Sequence, residues 1–312
     1  MARTWRYTRD VSERKSLLTA VRAGQAAGAT LQRRAVVGAG GNAAPDRAEL
    51  REHLDAAAAK IEGTLAQRVL ALSLLRGVEQ VLAGEDGPEL SLAQSLHRRL
   101  SKREANIFGP MRDALRSGAY GPQQFREDLA GLSPEEQDAF AERLLDLHDP
   151  PVPEKRSDAL HAPHGLSPLA DILDAAGHVE TGDVVYDLGA GSGKVCLLLR
   201  FLTGARVVGV EYDGALVREA ERVRDALGLQ ATFLEADVRE VTCEDATVFF
   251  MYEPFRGEIL DGALAMIRAV ASRHPVRLIA RFKTYDALAE VEGLRPLVPP
   301  GPSGQQVFEV AA

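Results

Sequence analysis

Two periodicities divide this chain. From residue 11 to 147, apolar positions recur at three- and four-residue steps, as in Leu50, Leu54, Ile61, Leu65, Val69 and Leu72, which gathers them on one stripe of a helix. The spacing predicts a helical stretch over 46–83, bent or divided at Gly63 and Gly77, and shorter helices over 90–104, 106–117 and 122–129. Another helix opens at Ser133-Pro134-Glu135-Glu136. There the serine and the acid three residues on form a capping box, proline takes the first helical position, and the pattern runs towards Leu147. Gly38-Ala39-Gly40-Gly41-Asn42 breaks this half early, and Asp149-Pro150-Pro151-Val152-Pro153 reads as a stiff linker.

Beyond the linker the texture changes. Apolar, β-rich runs over 184–188, 205–213, 231–238, 246–255 and 276–282 alternate with helical stretches over 194–203, 214–227 and 258–272. Such alternation predicts a mainly parallel, three-layer α/β sheet. A short helix is expected near Ala287. The runs 294–298 and 307–310 are joined by so short a Pro/Gly turn that they must be antiparallel, because a parallel crossover needs a dozen or more residues. The expected organisation is an all-helical domain over 1–148, a linker over 149–164 and an α/β domain over 165–312.

The chemistry concentrates where the first β run meets its helix, at Asp187-Leu188-Gly189-Ala190-Gly191-Ser192-Gly193-Lys194. Glycines there permit positive φ and close approach of a ligand to the main chain, and the following helix offers free N–H groups. A carboxylate at the strand end would face like charge if phosphate lay against this turn. Spacing agrees: Gly189, Gly191 and Gly193 form G-x-G-x-G, not the G-x-G-x-x-G of a dinucleotide site. A P-loop fails too, since Val195 stands where a magnesium-binding hydroxyl is needed. The ligand expected is a nucleoside carrying positive charge.

These residues resemble the first motif of the class I S-adenosylmethionine-dependent methyltransferases, an acid followed by alternating glycines. The likeness continues downstream. Glu211 ends the second β run, and the resemblance implies that it takes the ribose hydroxyls, a role suited to an acceptor-only carboxylate. Asp237 ends the third and matches the family position beside the adenine amine. The fourth run stops at Tyr252-Glu253-Pro254-Phe255, where the family often closes its active site. Asp187, Gly189, Gly191, Gly193, Glu211 and Asp237 are thus the implied S-adenosylmethionine ligands, and the implied fold is the Rossmann-like methyltransferase sheet, parallel with one reversed last strand. Taken singly, Glu211 is also readable as a strand-end charge and Asp237 as an Asx-type turn residue.

Methyl transfer from a sulfonium asks for alignment and exclusion of water, and for a nucleophile that arrives uncharged. An ammonium acceptor, with a reference pKa near about 10.4, must first lose its proton. Tyr252 and Phe255 are candidate walls, and Glu253 the candidate to orient an amine or take its proton. The alternative is a solvated loop acid with the aromatics packed under the sheet. Enzymes acting on base nitrogens or glutamine amides carry Asn or Asp, then Pro-Pro and an aromatic, and the amide or acid at the first position is absent here. A looser likeness runs to the seven-stranded protein-lysine methyltransferases similar to Dot1. The acceptor reading is an amine, protein lysine among them; the alternatives are O- or N-methylation of a small metabolite and, from another class, a catalytically silent cofactor-binding interaction module.

Composition narrows the partners. Residues 1–150 balance 21 Lys plus Arg against 21 Asp plus Glu, whereas 151–312 carry 16 against 24, so the net charge of −8 lies in the α/β half. That argues against nucleic acid as partner. No apolar run suggests a membrane span or a signal peptide, and the expectation is a cytoplasmic protein. Cys196 and Cys243 have no C-x-x-C spacing, and Cys196 reads as a small core residue. His161-Ala162-Pro163-His164 lacks a completing ligand, so no metal is expected. The helical half is expected to recognise substrate or to form a homodimer.

Overall fold

The computed structural model describes residues 47–84, 86–147, 168–252, 255–281, 291, 293–300 and 304–311. Glu253, the linker over 149–164, the His161 and His164 segment, the Gly38–Asn42 break and the helix expected near Ala287 lie outside these residues. The chain forms two compact units, Met1–Met111 with Leu129–Arg143, and Arg112–Asp128 with Leu144–Ala312. The segment Arg112–Asp128, read from sequence as part of the helical half, clusters with the sheet.

The helical unit is built on α1 (Arg47–Ala58), α2 (Leu65–Val81), most of α3 (Pro88–Arg116) and α5 (Pro134–Leu145), while α4 (Pro122–Leu129) falls almost wholly in the other unit. Gly63 lies in the break before α2, where Thr64 caps the helix. Its hydroxyl accepts the Gln67 N–H (3.3 Å), while the Gln67 side chain accepts the Thr64 N–H (2.8 Å). Gly77 stays inside α2 without dividing it. The two helices expected over 90–104 and 106–117 are one, α3, with Pro110 inside it. Proline removes one helical hydrogen bond, but a buried stripe of Ala93, Leu96, Leu100, Phe108 and Leu115 runs through both sides of it and carries the helix on. The expected capping box at Ser133 is present, with reciprocal bonds to Glu136 of 3.1 and 3.3 Å. Leu50, Leu54, Ile61, Leu75, Val78 and Leu96 form the core of this unit. Beside it Glu104 receives Arg68 Nε on one oxygen and faces Arg143 Nε at 3.4 Å on the other.

The second unit carries a seven-stranded sheet of order β3-β2-β1-β4-β5-β7-β6, in which β1 is Val184–Leu188, β2 Arg206–Glu211, β3 Ala231–Glu235, β4 Val248–Tyr252, β5 Val276–Arg281, β6 Leu294–Pro296 and β7 Gln306–Val310. All pairs from β3 to β5 are parallel, and β7 runs antiparallel to both β5 and β6. One strand is therefore reversed, as expected of the Rossmann-like methyltransferase sheet. Helices α7 (Lys194–Thr203), α8 (Gly214–Leu227) and α9 (Gly257–Ala271) are the crossovers, and α6 (Leu169–Ala176) precedes β1. Each crossover has a physical stop or start: Gly204 and Gly228 end α7 and α8 at φ 72° and 67°, and Asp213 caps α8 by accepting the Ala215 N–H at 2.8 Å. Leu188, Val210, Phe249, Met251, Ile267, Leu278 and Phe308 meet in the core between sheet and helices.

The Arg112–Asp128 segment is tied to this unit by specific contacts. Arg116 Nε donates to the Ala226 carbonyl at 2.8 Å, and Tyr120 and Phe125 pack on Phe201 with ring centres 6.3 and 5.6 Å away. No described helix is long and apolar enough to cross a membrane.

Candidate functional site

The glycine turn leaves β1 and is anchored at once to the end of β2, where the Val210 carbonyl accepts the N–H groups of Gly189 (2.8 Å) and Ala190 (3.1 Å). Gly189, Gly191 and Gly193 have φ of 86°, 56° and 82°, the region that favours glycine. Their reasons differ. A Cβ on Gly193 would come within 2.8 Å of the Phe233 ring and 2.9 Å of Ala220, so this glycine lets α7 start against β3 and α8. A Cβ on Gly191 would meet nothing within 4 Å, so this glycine leaves the backbone open to an incoming group. Between them Ser192 is 1% exposed, and its hydroxyl has no hydrogen-bond partner among the described residues. A buried hydroxyl is costly unless something bonds it, and a ligand group at this turn would do so.

Three acids lie at or just past the carboxyl ends of three adjacent strands. Asp187 is buried, and Cys196 on the first turn of α7 donates its thiol to Asp187 Oδ2 at 3.2 Å. Burial pushes the Asp187 carboxyl up to about 7; the thiol bond works against that shift, and the charge of Glu211 adds to it. Cys196 is the core residue expected, and it is also the direct partner of this acid. Glu211 is fixed by two backbone donors, Gly191 N–H on Oε2 (2.8 Å) and Asp213 N–H on Oε1 (2.9 Å). An ionised carboxylate offers about four acceptor sites, so a held Glu211 keeps capacity for a vicinal diol. The Ala236 N–H donates to the Glu211 carbonyl at 2.9 Å, which sets Asp237 beside the end of β2. Asp237 caps the 3-10 turn Val238–Glu240, accepting the Arg239 N–H at 3.0 Å, and pairs with the Arg239 guanidinium at 2.7 Å. The Asx-type turn weighed from sequence is therefore present at this position.

A nucleoside bearing a cation fits this arrangement. Open backbone at Gly191, an orphaned hydroxyl at Ser192, a buried acid at Asp187 and a carboxylate at Glu211 held by two backbone donors lie at the carboxyl ends of β1 and β2, where open α/β sheets bind ligands.

The run read from sequence as the acceptor side ends β4. Asp187 is in register with Phe250, and Tyr252 stands two residues beyond it, half-buried. Its neighbour on β5 is Arg281, whose guanidinium donates to the phenol oxygen and lies 5.0 Å from the ring centre. Phe255 is partly buried against the core that contains Phe249 and Met251. Among the described residues no cluster of His, Cys, Asp and Glu is placed to hold a metal ion.

Four residues of this region carry no signal in the motifs themselves. Tyr212, next to Glu211, is 57% exposed and carries an aromatic ring beside that carboxylate's backbone. A large aromatic directly after a strand-end acid is the signal that could have found it. Ser192 lies inside the quoted turn, but only its burial marks it. Arg281 and Asp171 are brought to Tyr252 by strand register and by α6, neither of which a linear motif displays.

A family profile described as a methyltransferase domain matches residues 185–273. No curated protein matches the chain. Among solved structures, the chain is similar to an RNA methyltransferase from Salinibacter ruber in complex with S-adenosyl-L-homocysteine, at 23% identity over 49% of this chain and 94% of that one, with a TM-score of 0.36. It is similar to a TehB-like SAM-dependent methyltransferase from Corynebacterium glutamicum, at 20% identity over 45% and 86%, with a TM-score of 0.33. A mutant of MtNAS in complex with S-adenosylmethionine aligns at 15% identity over 83% of this chain and 96% of that one, with a TM-score of 0.37.

Proposed function

We propose that this chain, in which residues 185–273 match a methyltransferase-domain profile, is an S-adenosylmethionine-dependent methyltransferase that transfers its methyl group to an amine, with protein lysine as the acceptor to test first. When bound, S-adenosylmethionine supplies an electrophilic methyl group on a sulfonium. The residues proposed to hold it are the turn of Gly189, Gly191 and Gly193, with Asp187 facing its cationic end, Glu211 its ribose hydroxyls and Asp237 its adenine amine. Tyr212 offers its ring to the base and Ser192 its hydroxyl to the amino-acid end.

The observation that carries the acceptor reading is the half-buried phenol of Tyr252 at the end of β4, two residues past the partner of Asp187. An in-line displacement needs its nucleophile aligned and desolvated; an aromatic wall aligns it and excludes water, and the loss of water disfavours the charged form of an amine. In this reading Tyr252 and Phe255 wall the crevice and Glu253 takes the amine proton. The absence of an amide or acid at the first position of Tyr252-Glu253-Pro254-Phe255, together with the looser likeness to the Dot1-like enzymes, supports an amine over a base or a glutamine amide. The helical unit is proposed to recognise the acceptor or to pair two copies, which light scattering of the full chain distinguishes.

The test is incubation of the full chain with methyl-labelled cofactor and a cell lysate, followed by separation of protein, nucleic acid and small molecules. Label on lysine in the protein fraction is the expected result. Label confined to small molecules moves the acceptor to a metabolite, and label in nucleic acid overturns the amine reading. Tight cofactor binding without any transfer identifies a silent binding module.

A further inference from the structure

We propose that Arg281 is a positioning residue of the acceptor site: braced by Asp171, it fixes the ring and hydroxyl of Tyr252 at the mouth of the methyl-transfer crevice. The inference rests on the reading of Tyr252 as a crevice wall.

Tyr252 and Arg281 are register partners, the last pair of β4 and β5. Two separate contacts join their side chains. Arg281 Nη1 donates to the phenol oxygen, and the guanidinium carbon lies 5.0 Å from the ring centre. A hydrogen bond alone fixes the oxygen but leaves the ring free to turn about it; a cation against the ring fixes its plane as well. Arginine has no acceptor atom, so the phenol can only receive from it, and its own proton is left to point elsewhere.

Arg281 faces a buried counter-charge in its turn. Its Nη1 lies 4.0 Å from Asp171 Oδ2, and the Asp171 side chain is only 3% exposed. Asp171 sits in the first turn of α6, and Gln305 ties that helix to the start of β7 by donating to the Asp171 carbonyl (3.1 Å) and to Asp174 Oδ2 (3.0 Å). A carboxylate buried at that depth is costly unless paired, and an apolar set of similar volume would stabilise the fold as well or better. The charged arrangement lies at the carboxyl ends of β4 and β5, the ligand-binding end of such a sheet. A site role accounts for its being there.

The test uses the full chain and its R281K, R281A, Y252F and D171N variants. Three quantities are read: S-adenosylhomocysteine affinity by calorimetry, transfer of labelled methyl to the acceptor fraction, and the NMR signal of ring-labelled Tyr252, assigned as the resonance missing from Y252F. R281K keeps the charge but not the planar fork. It is expected to leave affinity within about twofold, to lower transfer about tenfold or more and to shift the Tyr252 resonance. D171N should move the same two quantities in the same direction. An unmoved Tyr252 resonance in R281K overturns the proposal, as does a loss of transfer matched by an equal loss of affinity. If the wild type transfers no label to any fraction, the methyl-acceptor reading fails instead, while the resonance still decides whether Arg281 positions Tyr252.

Discussion

The Glu211 carboxylate accepts the N–H of Gly191 at 2.8 Å, so the proposed diol acceptor at the end of β2 also closes the glycine turn that follows β1. One acid thus serves two parts of one site. Glu211→Ala removes both services and should weaken S-adenosylhomocysteine binding by about tenfold to a hundredfold, the range expected for lost charge-assisted hydrogen bonds. Calorimetric titration checks this. Hydrogen exchange at the Gly191 amide should rise in the same variant.

The two turn glycines should separate stability from binding. Gly193→Ala forces a Cβ against Phe233 and Ala220 at a φ of 82°, which should lower unfolding stability by about 2 kcal/mol or more. Gly191→Ala meets open space at a φ of 56° and should cost only about 1–2 kcal/mol. Its larger effect should be on cofactor affinity, since the new methyl stands where the backbone was open. Chemical denaturation alongside ligand titration distinguishes the two outcomes.

Asp187 makes stability depend on pH in a direction opposite to that of most acids. Its carboxyl is pushed up to about 7 by burial, so between the unfolded value, near about 3.9, and 7 the folded chain keeps a proton that the unfolded chain has lost. Stability from this group is complete below that window and falls as pH rises through it. Asp187→Asn should flatten the decline between pH 4 and 7 in denaturation measured without cofactor. An unchanged slope would show that Asp187 is ionised in the folded protein.

In the helical unit, Glu104 faces two arginines, Arg68 and Arg143, with its own side chain 11% exposed. Glu104→Gln leaves both cations without their counter-charge and should destabilise this unit by about 3 kcal/mol. Replacing Arg68 and Glu104 together with apolar residues should recover much of that loss. Thermal unfolding of the single and double variants provides the comparison.

What could be read from the sequence follows the reach of each physical signal. The strands from Val184 to Arg281 and the crossovers after Gly193 and Asp213 were legible because alternating apolar residues, turn glycines and a capping acid act within a few residues. Pro110 misled for the same reason: locally it ends a helix, but the buried stripe on both sides of it outweighs one missing bond. The residues proposed for the cofactor cluster in short motifs, so a proposal for them can be made from sequence. The Tyr252–Arg281–Asp171 arrangement could not be read that way, because it depends on which residue of β5 lies beside which residue of β4, and on a helix of eight residues next to the linker. The placement of Arg112–Asp128 was equally hidden, since the contacts of Tyr120 and Phe125 with Phe201 span some eighty residues of sequence.

The reversed strand β7 lies between β5 and β6, so β6 reaches the sheet only through a segment that follows it in the chain. During synthesis on a ribosome, the outer edge of β5 must therefore stay bare until residues 306–310 have left the exit tunnel. Until then five parallel strands present an open row of amide groups and an uncovered seat for Phe308, the kind of surface that chaperones hold and that neighbouring nascent chains join. The interval between the emergence of β5 and that of β7 is thus one in which this edge stands open to aggregation.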